Sequence, residues 1–429
     1  MRWFAALMVV LPLQMPPAWA QGDMRGHGGP VRSLAISATG ELAISGSFDQ
    51  SAIVWSLGQG RSLRILRVHD GSVNAVLALP NQYVTAGEDG RIAFWPLGEG
   101  NGPSSIVRAH EAPVAGLAVS RDGRWLASAG WDGKVRLQAL AGDAAARVFE
   151  GHEGIVNAVA FLPDGRSLVS GGYDASVRIW RLEGAATQII RMPAPVSALV
   201  VLPDGMIVAG RADGQVVLIA GDGAVVASIA ATETPVTSLA ASPDGRSIAA
   251  GSPRGAVAII DTGARRVRFT LNGPGLPVWS LAYTPDGRQL LSGGADRIVR
   301  RWDAASGEHI GAISGAGADD ELGAYAGMPG AEVFKACAVC HTLRPDGAGR
   351  AGPSLHGIFG RKAGTLPGYN YSEAFRKLDI VWNEETVSRL FEIGPQAYTP
   401  GTKMPEQTVG NARERRALIE FLGIATAPK

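Results

Sequence analysis

Three residues near the carboxyl end of the chain could do chemistry together. Cys337, Cys340 and His341 form a Cys-x-x-Cys-His motif, which contains both cysteines of the 429-residue chain. Two cysteines at this spacing could form a redox dithiol, supply half of a zinc site or attach a haem covalently. The rest of the sequence has to distinguish these three uses.

The surroundings of the motif favour the haem. A zinc site usually needs four ligands, and the chain has no second cysteine pair. A thioredoxin-type dithiol should follow a strand, and the sequence around Cys337 predicts none. A single covalent haem c needs neither, because both sulfurs add to its vinyl groups and His341 is thereby placed at the iron. The second iron ligand should be distant and soft, and Met404 in "YTPGTKMPEQ" is the candidate, 63 residues after His341.

The amino terminus predicts export. Arg2, an apolar stretch over residues 3–13 and an Ala-x-Ala site ending at Ala20 are typical of a secretory signal, with cleavage after Ala20. Prolines interrupt the apolar run well below the roughly 18 residues that a membrane span needs. We therefore expect a periplasmic protein that does not span the membrane once the signal is removed. Haem attachment would also explain why the two thiols are not spent on a disulfide in that oxidising compartment.

The charge balance argues against one class of partner. The chain has 40 basic and 39 acidic residues, for a formal net charge of +1. A protein that tracks nucleic-acid phosphates normally carries a clear excess of positive charge. We therefore expect no nucleic-acid partner.

Between the signal and the cysteine motif, a unit of about forty residues recurs seven times. A central aspartate, replaced once by arginine, recurs at spacings of 40, 43, 42, 39, 41 and 42 residues. Each unit begins with a valine strand, and four short strands can be read in it, often with a Pro-Asp-Gly turn. One such sheet cannot bury both of its faces, so the units should stack into a ring.

These repeats resemble the WD40 family, through Gly-His near the start of a unit and Trp near its end. The resemblance implies an all-β, seven-bladed propeller over residues 21–314, with a linker over 315–327 and a second domain over 328–429. It also implies that His–Ser/Thr–Asp–Trp hydrogen-bonded tetrads lock single blades. The complete sets are His27, Ser45, Asp49 and Trp55; His69, Thr85, Asp89 and Trp95; and His152, Ser170, Asp174 and Trp180. We expect Gly307–Ser314 to complete the last blade, without strand exchange, because only residues 21–25 precede the first Gly-His.

The second domain resembles class I c-type cytochromes, near the mitochondrial and photosynthetic bacterial members, from about Pro329 to Leu422. The stretch "GPSLHGIFGRKAG" (352–364) matches the family's loop beside the proximal histidine, and helices are expected near 331–336, 372–378, 384–393 and 412–422. The resemblance implies an all-α domain in which the carbonyl of Pro353 orients His341. It places hydrogen bonds to the haem propionates at Arg361, Tyr371 and Trp382.

These features favour an exported carrier of single electrons, with the propeller as the module that docks a redox partner. The partner would be a dehydrogenase, an oxidase or another cytochrome, meeting the haem edge and a propeller face near Phe48, Trp131 and Tyr173. Two alternatives stay open: an oxidoreductase with a second cofactor or substrate in the propeller, and a redox sensor on a scaffold. Whether the protein is an enzyme is therefore undecided, and the carrier is favoured. Few lysines surround the expected haem edge, which suggests that the propeller supplies partner specificity.

Overall fold

Seven four-stranded antiparallel sheets are followed by a group of helices, which confirms the predicted fold class. The structure is a computed structural model that describes residues 22–98, 102–142, 145–183, 187–273, 276–310, 319–345, 350–369 and 371–427. The predicted signal, residues 1–20, lies outside the described residues. Among the helices that are described, none has the length and apolar character needed to cross a membrane.

The first four blades follow one another along the chain. Blade one comprises β2 (Val31–Ile36), β3 (Leu42–Ser47), β4 (Ser51–Ser56) and β5 (Arg61–Arg67). Blade two comprises β6 (Val73–Ala78), β7 (Gln82–Gly87), β8 (Arg91–Pro96) and β9 (Ser105–Arg108). Blade three comprises β10 (Val114–Val119), β11 (Trp125–Gly130), β12 (Val135–Ala139) and β13 (Arg147–Phe149). Blade four comprises β14 (Val156–Phe161), β15 (Ser167–Gly172), β16 (Ser176–Arg181) and β17 (Thr187–Arg191).

The last three blades complete the ring. Blade five comprises β18 (Val196–Val201), β19 (Ile207–Arg211), β20 (Gln215–Ile219) and β21 (Val225–Ala230). Blade six comprises β22 (Ser238–Ala241), β23 (Ser247–Gly251), β24 (Ala256–Asp261) and β25 (Arg266–Asn272). Blade seven comprises β26 (Val278–Tyr283), β27 (Gln289–Gly294), β28 (Ile298–Asp303) and the short β1 (Met24–Arg25) from the amino terminus.

Glycines at the ends of inner strands allow neighbouring blades to approach closely. A Cβ at Gly171 in blade four would lie 2.5 Å from Cγ1 of Val196, the first residue of blade five. A Cβ at Gly210 would meet Cγ1 of Val236, ahead of blade six, at 2.6 Å. Real side-chain carbons do not approach so closely, so glycine here serves packing between blades. The buried apolar side chains form clusters between successive blades rather than one central core.

The predicted tetrads lie inside their blades and link two loops to a strand. In blade one, Nδ1 of His27 lies 2.9 Å from Asp49, and its Nε2 lies 2.7 Å from the hydroxyl of Ser45. The indole of Trp55 donates to the same hydroxyl at 2.7 Å. The second and fourth blades repeat this pattern. The tetrads thus satisfy buried polar groups and fix the loops at one rim of the ring.

The prediction that the ring closes without strand exchange is wrong. The two-residue strand β1 pairs with β28, with Met24 opposite Val299 and Arg25 opposite Ile298. Of the expected closing segment, residues 307–310 are described, and within them His309 forms a bridge with Trp302, further along the same edge of β28. Two residues are enough because Met24 is fully buried and Asp23 accepts a 2.7 Å hydrogen bond from the His309 ring.

The helices agree with the predicted positions and add two short ones. They are α1 (Asp319–Leu322), α2 (Pro329–Ala338), α3 (Glu373–Arg376), α4 (Glu384–Ile393), α5 (Pro395–Tyr398) and α6 (Ala412–Ala425). A Cβ at Gly330 would overlap the carbonyl oxygen of Ala417, so glycine is what lets α2 cross α6. The rings of Phe334 and Phe421 meet beside this crossing, with centroids 5.3 Å apart.

Part of the stretch predicted as a linker is folded against these helices. Leu322 at the end of α1 is 5% exposed and belongs to the apolar core of the helical region. The carboxylate of Glu321 accepts hydrogen bonds from the Thr342 hydroxyl at 2.9 Å and the Leu343 amide at 3.1 Å. These contacts tie α1 to the segment that follows the cysteine motif.

The tetrad of blade four predicts how stability depends on pH. Burial lowers the pKa of His152. Burial alone would raise the pKa of Asp174, but hydrogen bonds from Ser176, the Glu153 amide and His152 outweigh it and hold that pKa below its usual range. In both cases the unfolded chain takes up a proton at a higher pH than the folded chain does, so acid destabilises the fold. The free energy of unfolding should fall as the pH drops below about 6.5, and again below about 4.

Asp174→Asn should cost about 1–3 kcal/mol of stability at pH 7, because it weakens buried charge-assisted hydrogen bonds. It should also reduce the further loss between about pH 4 and pH 2, where Asp174 would otherwise take up its proton. Denaturant unfolding at pH 7, 5 and 3 measures both effects. Glu183→Gln, at an exposed position in the same blade, is the control. Parallel pH profiles for Asp174→Asn and the unmodified protein would contradict this account.

Candidate functional site

All eight residues that the sequence singled out for the site line one cavity in the helical region. They are Cys337, Cys340, His341, Pro353, Arg361, Tyr371, Trp382 and Met404. The cavity and its open mouth together hold about 1320 Å³ of empty space. Apolar side chains form most of the wall, among them Phe334, Leu390, Leu418 and Leu422. A largely apolar cavity with a few polar groups is typical of a site that binds a large, flat organic group.

The end of α2 brings the cysteine motif to the cavity. The amides of Cys340 and His341 both donate to the carbonyl of Cys337, at 3.0 and 2.9 Å, so one further turn follows the helix. This turn places both sulfurs at the same cavity, since residues three apart lie on one helical face. Burial raises the pKa of the Cys337 thiol to about 12 and that of the Cys340 thiol to about 11. As free thiols, the two cysteines would therefore stay protonated near neutral pH.

His341 is held in a single orientation. Its Nδ1 lies 2.8 Å from the carbonyl oxygen of Pro353, and only a protonated Nδ1 can donate to a carbonyl. Burial lowers the pKa of His341, so the ring is neutral and its Nε2 carries a free lone pair. The Gly352 amide fixes the facing loop by donating to the Cys340 carbonyl at 2.7 Å. A neutral imidazole oriented in this way is ready to bind a metal ion.

Arg361, Tyr371 and Trp382 lie together on another side of the cavity. The guanidinium of Arg361 donates to the carbonyls of Ser354 at 2.8 Å and His356 at 3.2 Å, and burial lowers its pKa. Burial raises the pKa of Tyr371 to about 12, so its hydroxyl stays protonated. Trp382 is 7% exposed, and its amide donates to the Arg361 carbonyl at 3.0 Å. The cavity thus has a cation and two neutral N–H or O–H donors close to one another.

Met404 lies in the loop between α5 and α6. Its amide donates to the Thr402 hydroxyl at 3.1 Å, and its half-buried side chain packs against the apolar core of the helical region. Lys403 directly precedes it and also lines the cavity. The Lys403 ammonium reaches Asp70 of the propeller at 3.0 Å and the His69 carbonyl at 3.1 Å.

Sequence reasoning missed the part of the wall that the propeller supplies. Gly28, Asp49 and Arg67 from blade one line the same cavity as the cysteine motif. One signal was present in the sequence. Three other blades carry an acid directly after the tetrad histidine, at Asp70, Glu111 and Glu153, where blade one has Gly28.

Comparisons with known families agree with both halves of the chain. The family model "WD domain, G-beta repeat" matches residues 20–56, 102–137, 145–181, 223–261 and 265–303. These ranges correspond to blades one, three, four, six and seven. The family model "Cytochrome c" matches residues 327–424, which include every helix except α1 and the end of α6. The predicted resemblances to WD40 propellers and to cytochrome c are both confirmed.

Curated relatives match the helical region over nearly their whole length. Cytochrome c of Gibberella zeae is 43% identical over 98 residues, which is 92% of that protein and 23% of this chain. Cytochrome c of Cochliobolus lunatus is 44% identical over 94 residues, 86% of its length and 22% of this chain. Cytochrome c of Arabidopsis thaliana is 43% identical over 94 residues, 83% of its length and 22% of this chain.

The residues around the cavity fit the cofactor of these relatives. Two cysteine sulfurs, a neutral imidazole and a thioether face one apolar space, and this donor set suits a covalently attached haem c. A half-buried cation and hydroxyl or indole donors suit the carboxylates of its propionates. The chain therefore belongs to the cytochrome c family as an electron-transfer haem protein, and it carries a seven-bladed WD40 propeller, a protein-interaction module, ahead of the haem domain.

Proposed function

We propose that this protein is an exported carrier of single electrons, with one haem c attached through Cys337 and Cys340. His341 and Met404 would bind the iron of this haem. The observation that carries the proposal is the convergence of all the predicted site residues on one cavity. When bound, the haem supplies an iron that gains or loses one electron, and ligation by histidine and methionine favours a raised reduction potential.

The residues of the chain have distinct roles in this proposal. The Pro353 carbonyl keeps His341 in the tautomer that binds iron, through the 2.8 Å hydrogen bond to Nδ1. Arg361, Tyr371 and Trp382 hold the propionates. The apolar wall excludes water, which limits the reorganisation that accompanies electron transfer. None of these groups has to move or exchange a proton during a turnover.

Export is the second part of the proposal. It rests on residues 1–20, whose positive start, apolar stretch and Ala-x-Ala ending are typical of a cleaved signal. Because both cysteine sulfurs form thioethers to the haem in this proposal, neither is available for a disulfide in the oxidising periplasm.

Partner docking is the third part. Phe48, Trp131 and Tyr173 occupy equivalent turns in blades one, three and four, so they lie on the same face of the ring. They are 44%, 45% and 58% exposed, and exposed aromatic rings are frequent anchors of protein interfaces. The helical region contacts the same face of the ring at blades one and two. A partner that meets Trp131 and Tyr173 would therefore lie beside the haem domain.

The ion pairs made by lysines of the haem domain support the proposal that the propeller, rather than positive charge, selects the redox partner. Lys335 pairs with Glu332 at 2.7 Å, Lys362 with Asp379 at 2.9 Å and Lys403 with Asp70 at 3.0 Å. Paired lysines contribute less to long-range attraction of an acidic partner than unpaired ones do. The proposed partner surface is accordingly aromatic rather than basic.

Met404→Ala tests the ligand assignment. The purified ferric protein should show the weak sulfur-to-iron charge-transfer band, and Met404→Ala should lose it while the haem stays attached. A redox titration should follow a one-electron curve, with a lower potential in the variant because the thioether ligand is gone. Met206→Ala, in the propeller, is the control. A band that persists in Met404→Ala would overturn the assignment.

Gly352→Ala tests how His341 is oriented. A Cβ there would lie 2.6 Å from Nδ1 of His341, so the ring or the loop has to shift. Overpacking of this kind typically costs about 1–3 kcal/mol. The free energy of unfolding of the holoprotein should fall by about that amount, whereas Gly410→Ala, at a loop position with open space around its Cβ and no positive φ, controls for the general cost of replacing a loop glycine. Equal losses in the two variants would contradict the proposed orientation.

The double substitution Trp131→Ala and Tyr173→Ala tests docking. At low protein concentration, reoxidation of the reduced protein by membranes of the source cells should slow by roughly tenfold, because such anchors carry much of the binding energy. The absorption spectrum and the potential should not change. The exposed Val225→Ala in blade five is the control. An unchanged reoxidation rate in the double variant would contradict docking through this propeller face. Slow electron exchange in the unmodified protein and in every variant would favour a redox sensor over an electron carrier.

A further inference from the structure

We propose that the propeller rim formed by Gly28, Asp49, Arg67 and Asp70 is the outer wall of the haem pocket, which covers the Cys340 edge and clamps the Met404 loop. This goes beyond docking of an external partner, because the propeller acts here on the chain's own haem domain. The inference rests on the proposed ligation by Met404. Two separate attachments carry it, one in blade one and one in blade two.

The blade-two attachment is an ion pair beside the ligand loop. The Lys403 ammonium binds Oδ1 of Asp70 at 3.0 Å and the carbonyl of His69 at 3.1 Å. The other oxygen of Asp70 accepts a 2.5 Å hydrogen bond from Arg91, which holds the carboxylate in place. Lys403 directly precedes Met404, so this contact restrains the backbone of the ligand loop. The restraint joins residues that lie 333 positions apart in the chain.

The blade-one attachment explains why residue 28 is glycine. A Cβ at Gly28 would overlap the sulfur of Cys340. Positive φ values occur at many glycines of the chain, but Gly28 is not among them, so its backbone does not call for glycine. Its amide donates to Asp49 at 2.7 Å, as the amides of Asp70, Glu111 and Glu153 donate to their own tetrad aspartates. The four loops therefore share one geometry, and what sets Gly28 apart is the haem-binding cysteine against it.

Further contacts between blade one and the haem domain lie beside the first attachment. The amide of Ala351 donates to the Gly26 carbonyl of the propeller at 2.8 Å, and the hydroxyl of Tyr369 donates to the Ala351 carbonyl at 2.7 Å. The guanidinium of Arg67 lies over the Tyr369 ring, 5.5 Å from its centroid. A cation over an aromatic face is attractive, and more so away from water. The rim thus touches both the proximal loop and the wall of the cavity.

Displacement of Met404 by an added ligand tests the blade-two clamp. Imidazole binds ferric haem once the methionine has left, and the loss of the sulfur-to-iron charge-transfer band reports the exchange. Asp70→Ala should lower the apparent dissociation constant for imidazole by roughly three- to tenfold, the size expected for a partly exposed charged hydrogen bond. Lys403→Ala should have a similar effect, and the double variant should add little to either, because both remove one interaction.

Matched controls separate the clamp from general effects. Glu111→Ala changes the equivalent acid of blade three, and Lys377→Ala removes an exposed lysine of the haem domain that pairs with Glu373. Neither should change the imidazole constant. If Asp70→Ala and Glu111→Ala have the same dissociation constant for imidazole, the proposed clamp is wrong. The assignment of Met404 as ligand would still be supported in that case, as long as the sulfur-to-iron charge-transfer band is present. A band absent from the unmodified protein would instead overturn the proposed ligation.

Oxidation by hexacyanoferrate(III) tests the cover over Cys340. This small oxidant takes one electron from the ferrous haem at whichever edge it reaches. Gly28→Gln places a side chain where the Cys340 sulfur lies, so it should push the propeller rim away from the Cys340 edge of the haem domain. Gln is chosen because it adds no charge that would repel the probe. The second-order rate constant should rise severalfold, whereas Glu153→Gln at the equivalent site of blade four should leave it unchanged. Equal rates in the two folded variants would show that the propeller does not cover this edge.

Discussion

The helical region is built around a cavity that its own side chains do not fill. The carboxyl-terminal helix α6 crosses α2 at Gly330, where a Cβ would overlap the Ala417 carbonyl, and the Phe334 and Phe421 rings pack beside the crossing. These contacts support one wall, while Leu390 and Leu418 leave an apolar space in front of it. Haem c suits this space and would bind the folded region rather than the unfolded chain, so folding of this region and retention of the cofactor stabilise each other.

The propeller supplies part of the surface that faces this domain. Its tetrads fix the rim loops, as the 2.9 Å contact between His27 and Asp49 shows for blade one. Because Asp49 also lines the cavity, a hydrogen bond that stabilises the blade positions the surface facing the cysteine motif. Burial alone would raise the pKa of Asp49, but His27, Arg67 and Ser51 hold it well below its usual range, so the carboxylate stays charged at neutral pH. Asp49 therefore contributes both to the stability of blade one and to the negative charge at the cavity.

Local and periodic signals were readable from the sequence. The Cys-x-x-Cys-His motif concentrates its chemistry in five residues. The forty-residue period repeats seven times, so it can be recognised although only three of the units carry a complete tetrad. The helices near Pro329, Glu384 and Ala412 were found because their apolar spacing is regular. The helices α1 and α5 were not predicted, and with four residues each they are too short to show a period. The equally short α3 was predicted within a longer stretch, 372–378.

Signals that depend on the folded arrangement were not readable. Ring closure by β1 uses two residues, and no alternation can be seen in a pair. The contact between Lys403 and Asp70 joins opposite parts of the chain, where single-sequence reasoning has no spacing to use. The sequence shows Gly28 as the exception among four equivalent positions, but its role could not be inferred without knowing that Cys340 lies against it. The proposed cover of the haem pocket thus depends on how the two domains meet, which no local pattern in the sequence encodes.

Extraction of the purified protein with acidified acetone tests the central claim most directly. The solvent removes haem that is held only by ligation and apolar contacts, whereas two thioethers to Cys337 and Cys340 withstand it. The account predicts that the precipitated chain keeps one haem per polypeptide, measured as its pyridine haemochrome, and that Cys337→Ser with Cys340→Ser keeps none. A colourless precipitate from the unmodified protein, or a chain purified without haem from a host that matures c-type cytochromes, would contradict it.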